Sequence, residues 1–427
     1  MYIVFFAIIC IIFSIIKAKK DKNKFNPISI FLILWGIIFI FSKLRFYTLF
    51  ESTNKTYNYL IYGIISFVLG YYFMKLITRN KGIRLSWDGK SNKEYSINRN
   101  LCLFLIIFCI ILIALKMIAN RNILFSYGFN LAGIQKALQE EELESSSIMN
   151  AISFLIVNPL CLALMIVICS DCIKNKMDKK LFILVILLNI ERIFLTGGRQ
   201  AFIQFFFVLL IIMSFNGNQY LKKIGSKFIL KIKTNFMLTI AVIMLILLSL
   251  SRTSQIVKTI YLDFAMQPYM FEYWSNFVDK NETLAYGMSS LSGFIYPIFY
   301  ILKNLFHLIN YIPTNLDNAY NMNLLTIDKW IYIGKELKAN AYVSIFWYLY
   351  YDYRIIGIIS GMFIMGMISY NKYIKATNNP NLINISKYCM IALCIFYSFG
   401  DMEFSKVNFA LAYLYINFLI KNKEIDT

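Results

Sequence analysis

The chain has 427 residues, of which 59% are hydrophobic and 15% are charged. That composition excludes an ordinary soluble globular protein, because a soluble chain has no means of hiding so much apolar surface from water. The formal net charge of +20 does not indicate nucleic-acid binding, because the basic residues are spread along the chain and are not clustered on one predicted face.

Apolar runs of about 15–20 residues, the length that crosses a bilayer as a helix, recur from the beginning of the chain to its end. They predict an all-α polytopic integral membrane protein with about eleven transmembrane helices. Positive charges follow the first run and no small-residue cleavage site is evident, so we expect this run to be retained as a span. The predicted spans are Tyr2–Ile16, Pro27–Ser42, Tyr57–Leu76, Leu101–Ala119, Ile148–Ser170, Leu181–Leu195, Gln200–Phe215, Phe236–Ser251, Ile355–Asn371, Tyr388–Gly400 and Val407–Ile420.

The positions of lysine and arginine predict the orientation, since the cytoplasmic connections of membrane proteins are enriched in both. Alternate connections, from residues 17–26 to the C-terminal tail, hold most of the basic residues. We therefore expect a multi-pass protein of the cytoplasmic membrane with its N-terminus outside and its C-terminus inside. The predicted organisation is transmembrane helices one to eight in 1–251, a large extracytoplasmic loop with interfacial helices in 252–354, and helices nine to eleven in 355–427.

A short turn between two spans, Thr196-Gly197-Gly198-Arg199, falls on the predicted outer face. Gly197 and Gly198 permit a tight reversal and a close backbone approach to a ligand, and the planar donor fork of Arg199 suits phosphate. The alternative is an arginine that only reaches toward lipid headgroups. Arg192, about two turns earlier, is expected to face the interior of the bundle, because a charge facing lipid would be costly.

Arginine is used more often outside the predicted cytoplasmic connections than within them. Positive charge of either kind can set the topology, whereas bidentate contact with an oxyanion favours arginine over lysine. Arg199, Arg252 and Arg354 all fall at predicted external ends of spans. We expect one substrate-binding site to gather these three, with Arg192 supporting it.

The long external loop contains His307, the only histidine of the chain. It lies in the apolar segment Gly293–Ile312, which we expect to lie in the membrane interface or to dip into it without crossing. An imidazole on the outer face has a pKa suited to general-base catalysis. Glu272 and Asp279 are alternative bases in the same loop, and a packing role for His307 is the other alternative.

No metal and no cofactor is expected. Cys169 and Cys172 form a Cys-x-x-Cys pair, but no second pair completes a zinc site. No Asp-x-Asp pair lies near a span end, and phosphate-binding loops, dinucleotide fingerprints and nucleophile elbows are missing from the sequence. The spans also have almost none of the mid-span acidic residues typical of energy-coupled transport.

Two segments resemble a known family, the bacterial oligosaccharide repeat unit polymerases (the Wzy or O-antigen polymerase group). Thr196–Phe202, TGGRQAF, opens a long aliphatic span and resembles the family's T-G-x-R segment. Asn340–Gly357, NAYVSIFWYLYYDYRIIG, is similar to the segment that ends the family's large external loop. The family usually has Asp-aromatic-Gly where this chain has Asp352-Tyr353-Arg354. Span number, the late external loop and the basic cytoplasmic connections agree over nearly the full length.

The resemblance implies a GT-C-like membrane glycosyltransferase that needs no metal. Its substrate would be an oligosaccharide on undecaprenyl diphosphate, and its product a capsule, O-antigen or exopolysaccharide. Arg199 and Arg252 would bind the diphosphate, with Arg192 in support and His307 as the base. Related O-antigen ligases have Asn after the loop histidine, where this chain has Leu308. Asp352 would be structural.

The resemblance also implies partners, and two alternatives remain open. The implied partners are membrane lipids, a flippase and a chain-length regulator, and no nucleic acid is expected. One alternative is an O-antigen-ligase-like transferase, which shares the donor chemistry but uses another acceptor. The other is a lipid-linked oligosaccharide flippase or another transporter, which would place charge in a cavity open to both faces.

Overall fold

The computed structural model describes residues 2–21, 23–80, 93–119, 121–127, 148–174, 178–196, 200–215, 256–304 and 306–424. Most of these residues are helical. The helices are α1 (Tyr2–Asp21), α2 (Pro27–Leu44), α3 (Asn54–Asn80), α4 (Arg99–Ala119), α5 (Arg121–Tyr127), α6 (Ile148–Ile152), α7 (Asn158–Lys174), α8 (Lys179–Thr196), α9 (Gln200–Phe215), α10 (Ile256–Ala265), α11 (Gln267–Asn281), α12 (Ser292–Asn304), α13 (Thr314–Asp328), α14 (Ser344–Asn378), α15 (Leu382–Tyr397) and α16 (Val407–Leu419). A π-helical turn, Ser153–Val157, joins α6 to α7, and 3-10 turns occupy Phe46–Thr48 and Glu403–Ser405.

Four short strands add to the all-helical architecture that composition predicts. Strand β1 (Lys93–Ile97) pairs antiparallel with β4 (Ile420–Glu424), and β2 (Ile331–Tyr332) pairs antiparallel with β3 (Lys338–Ala339). The first pairing joins residues more than 300 positions apart, so no local pattern of the sequence could predict it.

Six helices of the described chain are long and apolar enough to cross a membrane: Tyr2–Asp21, Pro27–Leu44, Asn54–Arg79, Arg99–Ala119, Asn150–Asp171 and Ser344–Asn378. Helices α9, α15 and α16 are shorter and apolar. The chain is therefore a multi-pass membrane protein. Each predicted span in the described part overlaps a helix, whereas the predicted span Phe236–Ser251 lies outside the described residues.

The described chain forms two compact units. Unit 1 comprises Met1–Ser91, Val257–Asn378 and Ile391–Leu411; unit 2 comprises Asn92–Ile256, Asn379–Met390 and Ala412–Thr427. In unit 2, α4, α7, α8 and α9 pack together. There Arg99 Nε lies 2.6 Å from Asp178 Oδ2, which ties the beginning of α4 to the residue preceding α8.

In unit 1, α3 packs closely along α14, and glycines line the contact. A Cβ atom at Gly70 would overlap the carbonyl oxygen of Phe363, and one at Gly366 would overlap the carbonyl oxygen of Phe67. Small residues at such positions let two helix backbones approach, which is how helices commonly associate in membranes. The glycine contacts thus set the distance between α3 and α14.

Helix α14 is broken near its first third. Tyr353 (φ −145°, ψ 30°) and Arg354 (φ 53°, ψ −139°) leave the helical conformation. A straight helix would separate residues eight positions apart by about 12 Å, yet Gly357 lies against the carbonyl of Leu349. Segment 344–352 therefore turns back against segment 355–378, and the break coincides with the predicted start of a span at Ile355.

Candidate functional site

A buried aspartate joins the break in α14 to a serine-rich turn. Asp352, 2% exposed, accepts hydrogen bonds from the backbone N–H of Ser289 (2.9 Å) and of Ser290 (3.1 Å). Positive φ values at Tyr286 (52°) and Gly287 (87°) shape this turn. Because a buried carboxylate needs such donors, Asp352 fixes the turn that leads into α12, in keeping with the junction role expected for it.

A network of small polar side chains continues from this turn. Ser289 Oγ donates to Asn323 Oδ1 at 2.8 Å, and Asn323 Nδ2 donates to the Ser289 carbonyl at 3.0 Å. Asn323 Nδ2 also donates to Ser292 Oγ at 3.2 Å, while Ser292 Oγ donates to the Ser405 carbonyl at 2.9 Å. The network thereby links α12, α13 and the turn before α16. All four side chains are buried.

A charged cluster lies next to this network, between α15 and α16. Lys406 Nζ lies 2.7 Å from Asp401 Oδ2 and 3.0 Å from Glu403 Oε1, and the Tyr348 hydroxyl donates to Asp401 Oδ1 at 3.0 Å. Burial raises the pKa of Glu403 above its ordinary value, against the lowering effect of Lys406. Burial acts to lower the pKa of Lys406, but the charges of Asp401 and Glu403 outweigh it and raise that pKa.

We call these two groups together the polar centre: Ser289, Ser290, Ser292, Asn323, Tyr348, Asp352, Asp401, Glu403, Ser405 and Lys406. Its members come from four stretches of unit 1 that are far apart in the sequence. The sequence does carry a signal for the charged part, since two acids and a lysine fall within six residues between two apolar runs, Asp401–Lys406. None of these three residues is among the site residues predicted from the sequence.

Arg354 is held at the C-terminal end of α11. Its Nε lies 2.9 Å from Asp279 Oδ1, and its Nη2 donates to the carbonyls of Val278 (3.2 Å) and Glu282 (3.1 Å). A cation there complements the unpaired carbonyls of a helix end. Its Nη1 is buried and has no hydrogen-bond partner in the described part of the chain. Most of the hydrogen-bond donors of this guanidinium are therefore occupied by contacts within the protein.

The predicted anion-binding residues are only partly described. Arg199, Gly197, Gly198 and Arg252 lie outside the described residues. Arg192 lies in α8 of unit 2, half-buried. The expected orientation of Arg192 toward the interior of the bundle stays a prediction. The gathering of the arginines in one site stays a prediction.

The three candidate bases differ in their surroundings. His307 is exposed and has a positive φ of 52° in the segment after α12. Glu272 Oε2 accepts from Thr53 N–H (2.7 Å) and from the Thr56 hydroxyl (2.9 Å), at the beginning of α3. Asp279 binds Arg354 and also accepts from the Tyr350 hydroxyl at 2.8 Å. Glu272 and Asp279 are thus engaged in holding the loop together.

Within the described residues, no three side chains of His, Cys, Asp or Glu are grouped so that they could hold a metal ion. Comparison with known proteins finds no matching family model, no matching curated protein and no matching solved structure.

Proposed function

We propose that this chain is a membrane glycosyltransferase of GT-C-like architecture that polymerises lipid-linked oligosaccharide repeat units at the outer face of the cytoplasmic membrane. The growing glycan would be transferred from undecaprenyl diphosphate to the terminal sugar hydroxyl of an incoming unit. The new glycosidic bond forms as the glycosyl–phosphate bond breaks, the hydroxyl loses its proton, and undecaprenyl diphosphate leaves.

The observation that carries this proposal is the position of Asn340–Gly357, the second segment of the family resemblance. It supplies Tyr348 and Asp352 to the polar centre and contains the break in α14. The family usually has glycine where Arg354 stands, and the φ of 53° at Arg354 is one that favours glycine. The departure from the motif is therefore compatible with the same backbone turn.

Contacts among the predicted external connections support their placement on one side of the membrane. Thr53, between α2 and α3, donates its N–H to Glu272, and Phe50 donates its N–H to the Ile333 carbonyl at 2.8 Å. Ser292, in the long predicted loop, donates to Ser405, which precedes α16. The connections that basic-residue counts assign to the outside thus contact one another in unit 1. This is expected of connections that lie on the same side of the membrane.

The proposed chemistry rests on charge. Breaking the glycosyl–phosphate bond leaves negative charge on the diphosphate, and preorganised guanidinium groups would stabilise it. We assign this role to Arg199 and Arg252, with Arg192 in support. The contacts of Arg354 with Asp279 and with two carbonyls of α11 and the residues after it favour a positioning role for this residue. His307, exposed and on the proposed outer face, is assigned as the base that removes the acceptor proton.

The decisive experiment is polymerisation of purified lipid-linked repeat units by the purified protein alone, read as a ladder of products. Elongation is expected, and neither a flippase nor a ligase acting on a different acceptor would lengthen the units. Arg199→Lys keeps the charge but loses the bidentate fork, so we expect long products to fall at least tenfold while single units accumulate. Arg79→Lys, in a predicted cytoplasmic connection, is the matched control. Normal chain lengths from Arg199→Lys would remove Arg199 from the diphosphate site.

A further inference from the structure

Helix α12 and the residues after it expose an unusually apolar surface. Leu291 is 45% exposed and Ile298 58%, and Ile295 and Leu302 fall on the same helical face. We call these four residues the apolar stripe. Beyond the helix, Phe306, Leu308 and Tyr311 are 64%, 71% and 74% exposed. Apart from Lys303 in its last turn, α12 carries no charged residue.

The opposite face of α12 is fixed to the ends of two apolar helices. Ser292 donates to the carbonyl of Ser405, two residues before α16 begins, and Gly293 packs so closely that its Cβ would lie 2.6 Å from the Lys406 carbonyl oxygen. The turn before α12 is bound to Asp352, three residues before segment 355–378. The ends of membrane helices mark the level of the membrane surface, so α12 begins at that level.

Helix α12 cannot cross the membrane from there. It has 13 residues with Pro297 inside, and a helix of that length spans about 20 Å, whereas the hydrocarbon core is about 30 Å thick. An apolar surface left in water would cost about 25 cal/mol for each Å². A helix with one apolar face, a cation near its end and aromatic neighbours is typical of segments that lie in the membrane interface.

We propose that the apolar stripe is a lipid-contact surface and that α12 lies along the plane of one leaflet, the outer leaflet in the proposed orientation. Leu291 and Ile298 face the acyl chains, and Phe306 and Leu308 extend this contact beyond the helix. Lys303 extends to the headgroups. The hydrogen bonds of the polar centre hold the opposite face away from lipid. This inference does not depend on the proposed glycosyltransferase activity.

Spin labels in lipid vesicles test this inference. Ile298→Cys and Leu308→Cys carry the label on the proposed surface, and Asn318→Cys, on the exposed face of α13, is the control. Wild-type protein treated with the same reagent gives the background from native cysteines. We expect collisions with oxygen to exceed those with a water-soluble nickel complex severalfold at Ile298 and Leu308, and the reverse at Asn318.

Two results would overturn the inference. Preferential collision with the nickel complex at both test positions would place the stripe in water. Dipolar broadening that disappears when labelled protein is diluted with unlabelled protein would show that a second copy covers the stripe. Leu308 lies in an exposed segment outside any helix, so the measurement does not depend on whether a substitution in α12 is tolerated.

Discussion

At the scale of single residues, the backbone at Arg354 combines an unfavourable conformation with several side-chain contacts. Its φ of 53° and ψ of −139° suit glycine, whereas its guanidinium binds Asp279 and two carbonyls of α11. Holding a residue with a side chain in such a region costs on the order of 1–3 kcal/mol. The contacts of the guanidinium with the end of α11 offset that cost. The strained backbone is therefore retained at a residue whose side chain fixes the end of α11.

We predict that Arg354→Gly is more stable than Arg354→Ala by about 1 kcal/mol, although both lose the same contacts. Only the alanine variant must hold a strained backbone, because glycine adopts a φ of 53° without strain. Ser360, exposed and within the regular part of α14, is the control, because there alanine should be the more stable by about 1 kcal/mol. Thermal unfolding of the four variants in one detergent measures whether glycine or alanine is the more stable at each of the two positions. The same order at the two positions would contradict the backbone argument.

Lys406 forms ion pairs with two carboxylates of the polar centre, those of Asp401 and Glu403. Its side chain is 23% exposed and that of Glu403 is 2% exposed. Removing one partner of a buried ion pair leaves an uncompensated charge, which is more costly than removing a charge that is itself unfavourable. The consequences of mutating Lys406 and Glu403 should therefore be unequal.

We predict that Lys406→Met lowers the free energy of unfolding by about 3 kcal/mol or more, while Glu403→Gln lowers it by less than about 1 kcal/mol. The folded-state pKa of Glu403 lies above its ordinary value of 4.5, so wild-type stability has a component that falls as the pH rises from 4.5 through the folded-state pKa. Glu403→Gln should remove that component. Denaturation across this pH range measures both effects, and equal costs for the two variants would show that the cluster is not charge-balanced by Lys406.

At the scale of elements, the close packing of α3 against α14 depends on missing side chains. Gly70 and Gly366 each lie against a backbone carbonyl of the other helix, with no space for a Cβ atom. A backbone atom cannot move aside as a flexible side chain can. The helix pair must therefore separate or shift when either glycine is replaced.

We predict that Gly366→Ala destabilises the protein by about 1–3 kcal/mol, despite the higher helix propensity of alanine. Gly400→Ala is the matched control, since its nearest Cβ neighbour would be Tyr342 Cδ1 at 3.6 Å, an ordinary contact. Thermal unfolding in detergent is the measurement. If Gly366→Ala matched the wild type, the helices would not be held at the distance that the glycines set.

At the scale of the whole molecule, three predicted external parts of the chain lie together in unit 1. Residues 43–56, residues 257–328 and residues 398–406 belong to it, although more than 300 positions separate the first from the last. The predicted cytoplasmic ends meet elsewhere in the same unit, where Lys17 Nζ lies 5.5 Å from the ring centre of Tyr71. The proposed two-sided topology is consistent with both groups of contacts.

The sequence by itself determined the membrane class and the approximate positions of the helices, because span length and hydropathy are local properties of each segment. It also located the break before Ile355, since an aromatic run with an acid gives way there to an aliphatic span. Tertiary structure alone decided that Asp352, Asn323 and Lys406 share one polar centre, and that β1 pairs with β4. The partners of Asp352, Asn323 and β1 lie tens to hundreds of residues away. Buried polar groups pair with whatever lies next to them in space, which no local pattern encodes.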